Sequence, residues 1–90
     1  MLTSAFYRDL AELTEAAQAQ PGGVDAPALR SGLHDLLLTL GQPNFDEVPA
    51  GDCLAHLLAE TRPPRQVVPR DLVLRELRTV ADQEPARVSA

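Results

Sequence analysis

Hydrophobic residues recur at intervals of three and four through four stretches of the chain. Proline and glycine break the pattern between them, at Pro21-Gly22-Gly23, Gly41-Gln42-Pro43, Pro49, Pro63-Pro64 and Pro69. With successive residues about 100° apart, the stretch from Thr3 to Gln18 gathers Ala5, Phe6, Leu10, Leu13, Ala16 and Ala17 on one arc and sets Arg8, Glu12 and Glu15 opposite. This predicts an amphipathic helix capped by Thr3 or Ser4. Asp25 is the expected N-cap of a second helix that tolerates Pro27 in its first turn and stops at Gly41. Its stripe of Ala26, Leu29, Leu33, Leu36, Leu37 and Leu40 is the densest in the chain, which predicts a central position. Gly32 beside that stripe marks a place where a neighbouring helix approaches closely.

A connection follows, with Phe45 as the side chain that folds it back onto the core. A third helix is expected over about Pro49 to Thr61, with Ala50, Cys53, Leu54, Leu57 and Leu58 on its apolar arc. The segment "RPPRQVVPR" reads as extended, because a residue before proline avoids the helical region; its Val67-Val68 pair either covers the core or adds a short strand. A fourth helix over about Pro69 to Asp82 collects Val73, Leu74, Leu77, Val80 and Ala81 on one side. The fold class is therefore all-α, a small bundle of about four short helices in a single domain over residues 1–83. Residues 84–90 show no apolar pattern and are expected to form a frayed tail.

Composition agrees with a folded helical core. Hydrophobic residues make up 44% and charged residues 23%, while aromatics are limited to Phe6, Tyr7 and Phe45, so leucine, valine and alanine supply the packing. Ninety residues form a thin core. Arg8 and Asp9 interrupt the opening segment, and no apolar run approaches the roughly 18 residues needed to cross a bilayer, which predicts a cytoplasmic protein without membrane contact.

The charge is unevenly spread. Residues 1–61 hold nine acids against Arg8 and Arg30, a net of −7, whereas residues 62–90 hold six arginines against four acids, a net of +2. An acidic majority repels phosphate backbones, so nucleic acid is disfavoured as a partner.

Few residues suggest chemistry. Cys53 and His56 stand three apart, and His34 with Asp35 lies on another predicted helix. A structural zinc site takes four ligands, often in close pairs; one cysteine and two distant histidines do not supply them. Cys53 shares the apolar arc and reads as a small buried hydrophobe, while Asp52 and Glu60 flank His56 at i,i−4 and i,i+4 as a solvated charge triplet. No nucleophile elbow, phosphate loop or metalloprotease motif occurs. No catalytic residue, metal or cofactor is therefore assigned.

Four residues do not fit their helices. Tyr7, Leu38 and Leu72 fall off the apolar arcs, and Asp9 lies inside one. Grouped in space, the first three would form a contact surface of the kind helical proteins offer a partner. Asp9 lies near the start of its helix, where the dipole favours an anion and solvent is close; the sharper alternative is a salt bridge to an arginine of the basic C-terminal part or of a partner. The functional expectation is a non-catalytic protein–protein interaction module, an adaptor, regulatory or chaperone-like subunit that binds a protein partner or a second copy. The alternative is a small helical DNA-binding regulator using the Arg-rich segment 62–78.

Overall fold

The computed structural model describes residues 4–83; the tail expected over 84–90 lies outside them. Four helices and two short strands follow in the order α1 (Ser4–Gln18), β1 (Gly23–Asp25), α2 (Ala26–Leu40), α3 (Gly51–Glu60), β2 (Val67–Pro69) and α4 (Arg70–Ala81). The chain is a mostly helical bundle of two helix–strand–helix units, with the strands paired antiparallel.

Local chemistry explains most of the boundaries. The Asp25 side chain accepts a hydrogen bond from the Ala28 backbone N–H at 3.1 Å and so caps α2, with proline in the first turn. The helix ends at Gly41, whose φ of 70° is the left-handed conformation that closes a C-terminus without a Cβ penalty. The third helix starts without a side-chain cap: Ala50 takes φ 60°, and the Gly51 N–H donates to the Val48 carbonyl at 2.7 Å. Two arginines cover C-terminal carbonyls. Arg30 donates to the Thr61 carbonyl at the end of α3 at 2.6 Å, and Arg70 reaches the carbonyls of Gln18, the last residue of α1, and of Gln20 just beyond it at 3.5 Å each.

The core holds Phe6 and Leu10 of α1, Leu29, Leu33 and Leu36 of α2, Leu54 and Leu57 of α3, and Val73, Leu77 and Val80 of α4. Phe45 and Val48 of the connection are also buried, as the plug role requires. The sequence pattern put α2 at the centre; instead the packing is shared, and α1 against α4 is the most extensive helix pair. The reason is that the four-residue stripe of α4 is buried as fully as that of α2. Gly32 is a point of close approach, because a Cβ there would lie 2.6 Å from Leu13 Cδ1 of α1.

The small sheet has a partner strand that the sequence did not reveal. Val24 pairs with Val68 at its centre, Gly23 with Pro69 and Asp25 with Val67, and the Ala26 N–H extends the ladder to the Gln66 carbonyl at 2.8 Å. Val24 and Val68 are buried between the helices, while Val67 turns outward, 56% exposed, over the side-chain-free Gly23. The extended segment thus does both things its two valines suggested, covering the core and adding a strand.

Candidate functional site

Each half of the molecule has the helix–loop–helix outline of an EF-hand, a likeness of connectivity alone. Such a loop has glycine at its sixth position and oxygen ligands at the first, third, fifth, seventh, ninth and twelfth. Gly22, at φ 83°, fits the sixth place in the first loop. The ligand places then fall on Ala17, Ala19, Pro21, Gly23, Asp25 and Ala28, and the only carboxylate among them is the cap of α2. Through the Val24–Val68 register, the second loop offers Thr61, Pro63, Arg65, Val67, Pro69 and Leu72, none of them a carboxylate. These residues do not fit a calcium ion. Among the described residues no group of three or more histidine, cysteine, aspartate and glutamate side chains is placed to hold a metal, so Cys53, His56 and His34 do not form a shared site.

Cys53 and His56 share a carboxylate that the sequence did not suggest, Glu76, beside the expected Glu60. His56 Nδ1 lies 3.4 Å from Glu76 Oε2 of α4, and Nε2 lies 3.5 Å from Glu60 Oε2. Glu60 is the expected i,i+4 neighbour; Glu76 takes the place expected of Asp52, because α4 packs along the edge of α3. Glu76 is also paired with Arg75 Nε at 3.5 Å and lies within hydrogen-bond reach of the Cys53 thiol. The half-buried thiol is pushed above its ordinary pKa, first by burial, then by the Glu76 charge and hydrogen bond, with a smaller push from Asp52. A thiol held protonated is a poor nucleophile at neutral pH.

The sign of this effect is testable. Because the fold favours the protonated thiol, that favourable contribution is present at neutral pH and is lost as pH rises through the raised pKa. Iodoacetamide should therefore alkylate native Cys53 several-fold more slowly at pH 8 than a free thiol does. Glu76→Gln, which removes the main charge, should shift the rate-versus-pH curve to lower pH. A curve that does not move would remove Glu76 as the cause.

The four residues singled out by the sequence separate in the structure. Tyr7 is half-buried against the core, with its ring edge-on to Phe6 at 5.3 Å between centroids. Leu72, in the first turn of α4, is also half-buried against the core. Both were expected to lie outside the packed arcs; they are covered because each helix touches more than one neighbour, which widens the buried arc. Leu38 stands at 78% exposure.

Leu38 and Asp9 come together. They line an open groove of about 490 Å³ between α1 and α2, with Glu12, Leu13, Asp35 and Thr39. Among the described residues Asp9 pairs with no arginine. Its Oδ2 accepts from the Thr39 hydroxyl at 2.7 Å, which ties α1 to α2. The Asp35 carbonyl also lies 3.0 Å from that hydroxyl, but its single proton favours the shorter, charge-assisted contact. None of the ion pairs found among the described residues involves Asp9, Glu12 or Asp35, and none of the described residues lining the groove is basic. The groove therefore combines three carboxylates with an apolar wall and one highly exposed leucine.

The arginines of segment 62–78 are largely engaged within the molecule. Arg65 pairs with Glu60 at 3.3 Å, Arg75 with Glu76, and Arg70 covers the carbonyls at the end of α1. Arg78 lies among Asp71 and Asp82 on the outer face of α4. No helix among the described residues is long and apolar enough to cross a membrane. Comparison with protein families, with curated proteins and with solved structures finds no match to this chain.

Proposed function

We propose that the protein is a non-catalytic interaction module of the cytoplasm, an adaptor or regulatory subunit that binds another protein through the groove between α1 and α2. The observation that carries the reading is Leu38, 78% exposed at a groove that has three carboxylates and no cation among the described residues. A lone exposed leucine is ordinary on a protein surface. Here it adjoins a concave surface of mixed apolar and acidic character, and a partner filling it would bury the leucine and neutralise the carboxylates. The raised thiol pKa of Cys53 makes that side chain a poor nucleophile at neutral pH. The internal partners of Arg65, Arg70 and Arg75 give the DNA-binding alternative little support.

Affinity capture from the source cell with the wild-type chain and with Leu38→Asp tests the proposal. Leu38 is exposed, so the variant keeps the fold, as circular dichroism would verify. The wild type is expected to retain a protein in near-stoichiometric amount, and the variant to lose most of it. Equal recovery by both, or turnover of a small molecule by the purified chain, would refute this reading.

A further inference from the structure

We infer that the groove between α1 and α2 selects a basic segment of a partner protein, one that sets an apolar side chain against Leu38 and Leu13 and lysine or arginine against Asp9, Glu12 and Asp35. The inference rests on the interaction reading and adds the chemistry of the partner. Charge complementarity selects the occupant. Among the described residues the lining carries three carboxylates and no compensating cation, and the described ion pairs leave all three outside their networks. An acidic segment would face repulsion there. A neutral one would desolvate the carboxylates without replacing their water, at a net cost.

A second copy of this chain is a poorer occupant. The chain carries a net charge of −5, and its arginines on α4 are interleaved with Asp71 and Asp82. Two such molecules meeting through the groove would bring acid to acid. The groove runs along α2 from Gly32 to Thr39, about two helical turns or roughly 10 Å. That length seats one apolar side chain with a cation on either side.

The test uses two synthetic peptides of about 14 residues, close to four helical turns. Both are built from alanine with leucines along one helical face; one carries lysines beside the leucines, and the other carries glutamates in their place. Each is titrated into the full chain, labelled with ¹⁵N and observed by NMR. The lysine peptide is expected to shift amides of Asp9, Leu13, Gly32, Leu38 and Thr39 ahead of those on α4. Its binding should weaken at least tenfold in Leu38→Ser and several-fold in the Glu12→Gln, Asp35→Asn double variant. It should also weaken several-fold between about 0.05 and 0.3 M salt, where screening becomes strong.

Shifts scattered over the whole surface, or affinity unchanged by both variants, would overturn the inference. Groove binding by the glutamate peptide that depends on Leu38 would overturn the charge selection and leave the interaction reading standing. Binding by neither peptide would remove both. Shifts at the groove that change on dilution of the protein alone would assign the face to a second copy and overturn the basic partner.

Discussion

Gly51→Ala is expected to destabilise the protein by about 3 kcal/mol, at the upper end of ordinary overpacking effects. The α-carbon of Gly51 faces the Phe45 carbonyl so closely that a methyl group there would penetrate the carbonyl oxygen, with the Phe45 carbonyl carbon at 3.1 Å and Val48 Cβ at 3.2 Å. The obstacle is backbone, which does not rotate aside as a leucine terminus does. Relief requires moving the turn held by the Val48 N–H to Phe45 carbonyl and Gly51 N–H to Val48 carbonyl bonds. That motion would withdraw Phe45 and Val48, which are 3% and 5% exposed. For a domain of this size the loss corresponds to a fall in Tm of roughly 12 to 24 °C. The preceding residue offers a control of opposite sign. Ala50 holds φ 60° against its Cβ, so Ala50→Gly should raise stability by about 0.5 kcal/mol. A thermal melt in which Gly51→Ala matched the wild type would show that the connection is not seated on α3 as described.

Phe6→Ala should have an effect of the same order, about 3 to 5 kcal/mol. Phe6 is 0% exposed and is one of the two phenylalanines of the chain, so its removal leaves a cavity that leucines and valines fixed on other helices fill poorly. The edge-on contact with Tyr7 is lost with it. Set against a total stability of roughly 5 to 15 kcal/mol, the variant is expected to be partly unfolded at 37 °C. Urea titration followed by circular dichroism at the helix band measures the change. Phe6→Leu, which keeps most of the volume, should lose only about 1 to 1.5 kcal/mol. Equal losses for the two variants would mean that shape rather than volume is the limiting property at this position.

The functional proposals stand apart from these tests, because Leu38, Glu12 and Asp35 are surface residues whose substitution leaves the core intact. A partner that depends on Leu38 in a variant of unchanged stability therefore reports on recognition alone. Under the proposal, stability and recognition fall to different residues of the same two helices: Phe6 and Leu33 are buried, and Glu12 and Leu38 are exposed.

Two oddities of the sequence, a carboxylate on an apolar arc and a leucine off one, mark the candidate groove, since Asp9 and Leu38 both line it. Tyr7 and Leu72 carry the same signal and do not, because both are packed against the core. The part of Glu76 beside Cys53 and His56 was not legible: on its own helix it is one polar residue among several, and only the packing of α4 against α3 brings it within 3.4 Å of the imidazole.

The chain determined by itself what depends on near neighbours. The apolar period set the four helices, and Asp25 and Gly41 set the ends of α2. These are decided within a turn or two of helix, where hydrogen bonds and side-chain spacing act. Tertiary structure decided what depends on distant residues: the pairing of Val24 with Val68, the seating of Thr39 on Asp9, and the sharing of the core between α1 and α4. Three-residue strands are too short for alternation to announce them, and each gains its stability from a partner 44 positions away. Such pairings form only once burial of the helix stripes has brought the segments together, so no local pattern encodes them.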